Sequence, residues 1–258
     1  MANKRAEAVD ELFNRSKALA SSPEWKVAGQ LQELQFTFAL HAANYLPLKT
    51  WSEEIVGDTD EKIRFILELF DVRHPERVDG RVTEACRLLM NFLASAKMLV
   101  DHTRNHVRDL YVGHVFADEH EDQRKLRFAT DPLARFVQQL RDYNLHRRIP
   151  AVQCRMEIEA PNDGGVPRTY VFLNTEGLEQ WDKWSPPAKK FLAERRHLPL
   201  AIVAEEYMDI ITDFYQWMWR REHEIWGEAL EKVEREQQEL GELDRIVFPE
   251  RYADADSP

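Results

Sequence analysis

The spacing of apolar residues along the chain predicts a mainly α-helical protein. Over most of its length, apolar residues return every three or four positions, which places them on one face of a helix. Prolines and short polar clusters separate these stretches and mark where helices begin or end. The predicted helices are residues 1–22, residues 25–45 up to Pro47, a segment capped at 58–60, roughly 35 residues after Gly80, the segment between Asp131 and Pro150, and a final long segment from Pro199.

Shorter elements are predicted between these helices. The acidic run at 118–122 has no helical apolar face and is predicted to be a charged loop. Thr175 and Ser185 each precede a short stretch with helix-starting residues, so two short helices are expected there.

A different period follows Pro150. Residues 151–159 alternate between apolar and polar, and residues 169–173 are rich in β-branched and aromatic side chains. The Asn-Asp-Gly-Gly sequence at 162–165 is a strong turn signal between them. We therefore predict a β-hairpin over residues 151–174, which needs helices to pack against because an isolated hairpin is barely stable.

Together these elements predict a mainly α fold, a helical bundle with long helices and one inserted β-hairpin. We expect an N-terminal helical segment at residues 1–78 and a helical domain at 79–250 that includes the hairpin. Residues 251–258 are polar, lie at the chain end, and are expected to form a disordered tail.

Composition places the protein among folded chains without a membrane span. Apolar residues make up 43% of the 258 positions, and no apolar run is long enough to cross a bilayer. The first residues lack the apolar core of a secretory signal, and the two cysteines, Cys86 and Cys154, match no redox or metal spacing. We expect a soluble, cytoplasmic protein that does not bind membranes.

Charge is unevenly distributed along the chain. The formal net charge is −11, which taken alone disfavours binding to nucleic acid. Residues 123–155 nevertheless carry eight Arg or Lys against two Asp. This basic region is centred on the helix that follows Asp131, and it could bind an anionic ligand there.

That helix has clear boundaries and a polar end. Asp131 is a suitable N-cap, and Pro132 occupies the first helical position, where its missing N–H costs nothing. Its apolar residues share one face, and its last turns carry polar and charged side chains. The polar end reads Arg141-Asp142-Tyr143-Asn144-Leu145-His146.

This segment resembles the motif of the HEPN superfamily (higher eukaryotes and prokaryotes nucleotide-binding). The motif is an Arg, a polar neighbour, and a His four to six residues after the Arg; Arg141, Asp142 and His146 match it. HEPN proteins are helical bundles, often dimeric, and many are metal-independent ribonucleases of toxin–antitoxin, abortive-infection and CRISPR-linked systems. The resemblance implies that Arg141 and His146 are the catalytic pair and that Asp142 positions the Arg.

The chemistry of these residues suits RNA cleavage by the neighbouring 2′-hydroxyl. Histidine can shuttle a proton near neutral pH, and arginine is permanently charged and matches phosphate geometry. Five residues on a helix place Arg141 and His146 about 140° apart around the axis. They would therefore line a cleft shared with a second helix or a second subunit, with Asn144 helping to orient them. A homodimer is expected.

Further candidate residues lie on both sides of the motif. Arg147 and Arg148 are expected to contact the substrate, as are Arg104 and Asn105 if the long helix packs beside the motif. His102 and His106 are spaced for a shared metal, but no third ligand has a diagnostic spacing. We therefore expect neither a metal nor another cofactor, and a His-ligated metal enzyme remains an alternative.

The leading hypothesis is a metal-independent endoribonuclease or RNA-binding toxin-like protein of a prokaryotic defence or toxin–antitoxin system, paired with an antitoxin or other partner protein. The chief alternative is a catalytically inactive helical protein that binds a partner protein or a nucleotide. In that case Arg141 pairs with an acidic residue, and His146 caps the C-terminus of its helix, where positive charge is favoured.

Overall fold

The computed structural model describes residues 2–158 and 165–252, and it confirms the mainly α fold with long helices and an inserted hairpin. The predicted turn at 162–165, except for Gly165, and the predicted tail from residue 253 onward lie outside these residues. The helices are α1 Ala2–Ala20, α2 Pro23–Ser52, α3 Asp60–Leu69, α4 Glu76–Leu110, α5 Val115–Arg124, α6 Pro132–His146, α7 Pro186–Ala193 and α8 Leu200–Val247. Lys125–Ala129 forms a π-helical segment and Pro249–Arg251 a 3₁₀ turn.

A small antiparallel sheet is built around the predicted hairpin. Its strands are β1 Ile55–Val56, β2 Val152–Ile158, β3 Pro167–Asn174 and β4 His197–Pro199. The hairpin pairs β2 with β3 along their length, while β1 and β4 pair with the two ends of β3 on its other edge. The two outer strands were not predicted, because two or three residues are too few to display a period of two.

The chain divides into two compact units. One consists of Met1–Phe36 and Trp217–Pro258, and the other is Thr37–Gln216. In the first unit, α1 is tied to α8 by Arg15, whose Nη2 lies 2.9 Å from a carboxylate oxygen of Glu236. The second unit contains the sheet, α3 to α7 and the motif segment.

The prediction that Pro47 ends the second helix is wrong, because α2 continues to Ser52. Proline removes one helical hydrogen bond and crowds the preceding turn. Contacts beyond the proline hold the last turn in place: the Trp51 indole donates to the Arg81 carbonyl at 3.1 Å, and the Arg81 guanidinium donates to the Trp51 carbonyl at 2.9 Å. The stabilisation from these tertiary contacts outweighs the free-energy cost of a proline inside the helix.

Two other local predictions are also wrong. The acidic run at 118–122 lies inside α5, because Phe116 and His120 give that helix a buried face that the acidic residues conceal in the sequence. The stretch after Thr175 forms turns rather than a short helix. Thr175 is buried, and its hydroxyl donates to the carbonyl oxygens of Arg195 and Arg196, so it joins two loops instead of starting a helix.

Helix α6 forms as its sequence predicts, and its apolar face is fixed by aromatic packing. The ring of Phe136 is stacked with Trp184 and with Phe191, at centroid distances of 5.6 and 4.9 Å. Tyr143 stacks on Trp184 about two turns later along α6, at 5.9 Å. Because this face packs against α7 and its preceding loop, the polar residues of α6 are directed to the other side of the helix.

The N-cap of α6 gives a first testable prediction. The Asp131 carboxylate accepts a 2.7 Å hydrogen bond from the Ala134 backbone N–H. Replacing Asp131 with Ala removes this bond and should lower the free energy of unfolding by about 1 kcal/mol. Urea denaturation followed by circular dichroism measures the change, and Asp131→Asn should retain most of the stability. Equal stability of the wild type and Asp131→Ala would show that the cap is not needed.

In the described part of the chain, none of the helices combines the length and apolar character that a transmembrane span requires.

Candidate functional site

The polar side of α6 faces α4 and forms one wall of a cavity that we name the cationic cleft. The cavity comprises about 610 Å³, including space open to solvent, and Tyr207 of α8 contributes to its lining. Its charged lining residues are Lys97, Arg104, Arg135, Arg141 and Asp142. Four cations and one carboxylate therefore surround a single cavity, although the chain as a whole is acidic.

The cations of the cleft differ in their partners. Lys97 forms an ion pair with Asp101, and Arg104 lies 3.6 Å from the same carboxylate. Arg141 donates to Asp142 at 3.1 Å. Arg135 donates to the neutral amide oxygen of Gln138 at 3.1 Å and has no carboxylate partner among the described residues. Arg135 is therefore the guanidinium most available to an anion in the cleft.

The structure separates the two motif residues. Arg141 lines the cleft with its side chain about one third exposed, and Asp142 holds one of its nitrogens. His146 is the last residue of α6, is exposed, and does not line the cleft. Within one chain, the helix thus presents the arginine to the cavity and the histidine to solvent.

The remaining residues near the motif also divide between interior and surface. Asn144 is half-buried, and its side-chain oxygen has no hydrogen-bond partner among the described residues. Arg147 and Arg148 follow the end of α6, are exposed, and form no ion pair within the described residues. With His146 they make an exposed cationic end of the helix when the histidine is protonated.

Helix α4 contributes only one of its two predicted substrate-contacting residues to the cleft. Arg104 lines it, whereas Asn105 is exposed and lies outside its lining. His102 is exposed, with Nδ1 2.9 Å from the Thr37 hydroxyl, while His106 is buried edge-on to the Tyr111 ring. The described residues contain no group of three His, Cys, Asp or Glu side chains suited to a metal ion.

A second cavity adjoins the cleft, and we name it the aromatic pocket. It comprises about 590 Å³, including open space, and shares Val100, Arg104, Arg135, Gln138 and Tyr207 with the cleft. Its other lining residues come from α4, α5, the π-helical segment and α8. The sequence did not predict this pocket, because its residues are distant in sequence. Of the pocket residues, only Arg135 could have been selected from the sequence, because it shares the polar face of α6 with Gln138 and Asp142.

Burial perturbs several titratable groups around these cavities. Desolvation lowers the pKa of His120, which lines the aromatic pocket, from 6.5 to about 4. His41 lies on α2, and burial lowers its pKa to about 4 as well. Burial raises the pKa of Tyr207 well above its ordinary value. Near neutral pH both histidines are uncharged. Among the described residues no histidine lines the cationic cleft, so its positive charge comes from Lys and Arg alone.

Comparisons of the chain with protein-family models, curated proteins and solved structures gave no match. The resemblance to HEPN proteins therefore depends on the motif in α6.

Proposed function

We propose that the protein binds RNA along α6 and cleaves it without a metal ion, as a toxin-like ribonuclease of a prokaryotic defence or toxin–antitoxin system. The observation that carries the proposal is the distribution of charge on this helix. Arg141 reaches a cleft that also contains Arg135, which has no carboxylate partner among the described residues. The same helix ends in exposed His146, which Arg147 and Arg148 follow.

Phosphate recognition is the first step that this arrangement supports. Guanidinium groups can donate two parallel hydrogen bonds to a phosphate, and several of them along a groove follow the backbone of a strand. Arg135 can bind such an anion without first breaking an ion pair to a carboxylate. Arg141 would either give up its hydrogen bond to Asp142 or keep it while also binding the phosphate. Asp142 would then position the Arg141 guanidinium for the phosphate.

Cleavage requires a proton-transfer group as well. His146 is exposed and free to reach a ribose hydroxyl or a leaving oxygen, and it is proposed as the acid or base. Because Arg141 and His146 face different sides of α6, one substrate phosphate would contact Arg141 of one subunit and His146 of a second. A homodimer, as the resemblance implies, would bring these groups together.

Incubation of the purified protein with mixed RNA in excess EDTA tests the proposal directly. We expect cleavage products that end in 2′,3′-cyclic phosphate, since attack by the neighbouring hydroxyl leaves that group. Sedimentation of the same sample should show a dimer. Absence of cleavage at high protein concentration, with or without added divalent metal, would refute the ribonuclease proposal.

RNA affinity should depend on the exposed end of α6. Each arginine that contacts a phosphate of single-stranded RNA adds about 0.7 to the slope of log affinity against log salt. The double variant Arg147→Ala/Arg148→Ala should therefore bind RNA more weakly and show a slope smaller by about 1.4. Fluorescence anisotropy at several salt concentrations measures both. Arg73→Ala removes an exposed arginine paired with Asp71 and should change neither value; an unchanged slope in the double variant would contradict the RNA path.

A second candidate function is that of a catalytically inactive protein that binds a partner protein or a nucleotide. The Arg141–Asp142 ion pair favours it, because this is the pairing expected of an arginine with a structural role. RNA or nucleotide binding without any cleavage by the wild type would identify this function.

A further inference from the structure

The end of α6 continues into a surface segment that combines apolar and cationic side chains. We name it the helix-end patch, and its five residues are all exposed: Leu145, His146, Arg147, Arg148 and Ile149. The backbone N–H groups of Arg147 and Arg148 both donate to the Tyr143 carbonyl, at 2.8 and 3.3 Å. Because the Tyr143 side chain is buried and stacks on Trp184, the two arginines are held at the end of the helix.

The two apolar members of the helix-end patch favour contact with another surface. Leu145 is 55% exposed and Ile149 is 58% exposed. Covering such side chains removes apolar area from water, which is favourable. Two side chains are nevertheless far fewer than a stable dimer uses, since a standard interface buries about 800 Å² on each partner. Contact through Leu145 and Ile149 alone is therefore too weak to hold two copies together.

The cationic members of the patch oppose contact between two copies. Residues 143–156 contain three arginines and neither Asp nor Glu. In a two-fold dimer the same patch meets itself, so Arg147 and Arg148 of each subunit would face the same arginines of the other. Like charges brought together at an interface are strongly unfavourable. Two patches can therefore meet only when an anion lies between them.

The position of the proposed catalytic groups selects a second copy as the occupant of the patch. Arg141 lines the cationic cleft, whereas His146 belongs to the patch and lies outside that lining. The proposed function needs Arg141 of one subunit and His146 of the partner subunit at one phosphate. The patch must lie at this junction, because it contains His146.

We propose that a single-stranded polyanion assembles the dimer: two copies meet through their helix-end patches, with phosphates between their arginines and with Leu145 and Ile149 covered by the partner subunit. The identity of this polyanion as RNA rests on the proposed function. Without the polyanion the protein is a monomer, and its catalytic groups are apart. The substrate thus completes the site that cleaves it. An anionic membrane would also cover the patch, but it would not bring Arg141 and His146 together.

Sedimentation velocity with a short DNA strand tests this assembly without cleavage. The probe is a single strand of four deoxythymidines, which lacks the attacking 2′-hydroxyl and is too short to hold two proteins at separate sites. We expect a monomer without the strand and a dimer with it, with the dimer affinity at least about tenfold higher. A dimer that is equally strong without the strand, or a monomer that binds the strand and stays a monomer, would overturn the proposal. Failure of the strand to bind would do so too.

A patch variant separates assembly from binding of the strand. Leu145→Ser/Ile149→Ser keeps the arginines, so it should bind the strand as the wild type does but dimerise at least about tenfold more weakly. Val112→Ser/Leu126→Ser is the matched control, because it removes apolar residues that are 83% and 71% exposed outside the patch. Circular dichroism establishes that both variants are folded. Equal dimerisation of the patch variant and the control would contradict the interface. Patch-dependent sedimentation with phosphatidylserine vesicles, without a dimer, would assign the patch to a membrane instead.

The two proposals fail separately in these experiments. A dimer with the DNA strand, but no cleavage of RNA by the wild type, would leave the assembly standing and refute the ribonuclease. Wild-type cleavage rates in the patch variant would do the reverse. Mixing Arg141→Ala with His146→Ala joins the two results: half of the dimers are mixed and have one complete site of two, so the rate should recover to about one quarter of the wild-type rate. No recovery in a mixture that dimerises would contradict a site shared between subunits.

Discussion

Replacing His146 with Ala should lower the rate of RNA cleavage in EDTA by about 10²- to 10⁴-fold, the range typical for loss of a general acid or base. His146 is exposed at the end of α6, and the described residues give it no structural partner, so the substitution should leave folding intact. Single-turnover kinetics on a labelled RNA measure the effect, and RNA affinity, measured separately, should change little. This separation of rate from affinity distinguishes proton transfer from binding.

Two further variants make the test specific. Arg141→Ala should lose both cleavage and some affinity, because its guanidinium lines the cleft where the phosphate is proposed to bind. His74→Ala removes an exposed histidine away from α6 and should cleave like the wild type. Equal cleavage by the wild type and His146→Ala would assign the activity to another group or to a contaminant.

Helix α6 could be predicted because every signal that defines it is local. Its N-cap Asp131, the proline after it and its apolar period are all contained within fifteen neighbouring residues. The two strands of the hairpin were predictable for the same reason, since they lie close together in sequence. In these segments local propensity and the apolar pattern favour the same secondary structure, and tertiary contacts do not change it.

The wrong predictions concern segments in which distant contacts decide the structure. The last turn of α2 depends on hydrogen bonds between Trp51 and Arg81, which no local pattern shows. In α5 the acidic surface conceals a buried face formed by Phe116 and His120. The aromatic pocket combines residues of α4, α5, α6 and α8, so it could be seen only once these helices were placed.

The residues of the candidate site likewise include some that the sequence predicts and others that depend on distant contacts. The motif in α6 identified Arg141 and Asp142, and the structure brings both to a cleft with Arg104. Sequence alone did not select Lys97, Arg135 or Tyr207, because their role depends on the packing of α4 and α8 beside α6. Periodicity predicts which face of a helix is polar; the neighbour that this face meets is a property of the whole fold.

The two buried histidines should make the protein unusually sensitive to mild acid. His41 is fully buried, stacks on Phe92 at 5.0 Å, and has Nδ1 2.9 Å from the Ser95 hydroxyl. His120 is buried in the aromatic pocket, and burial lowers the pKa of each from 6.5 to about 4. Between pH 6.5 and about 4, both rings are therefore protonated in the unfolded chain and remain neutral in the folded protein.

The direction of the effect follows from the protons bound in each state. Above pH 6.5 both histidines are neutral in both states, so their contribution is constant. Between pH 6.5 and about 4 the unfolded state binds more protons, and the free energy of unfolding falls by about 1.4 kcal/mol per pH unit per histidine. At pH 4.5 the combined loss should reach about 5 kcal/mol, which is comparable to the total stability of many domains.

Urea denaturation at half-unit steps from pH 7.5 to 4.5 measures this slope. His120→Phe and His41→Gln should each reduce it by about half in the upper part of that range, because either change removes one titrating group. Asn105→Gln, at an exposed residue that does not titrate, should leave the slope unchanged. Carboxylates with lowered pKa, such as Glu121 beside Arg124, lose protection only near and below pH 4.5, so the interval from 6.5 to 5.5 isolates the histidines. A slope that persists in the double variant across that interval would place the acid sensitivity elsewhere.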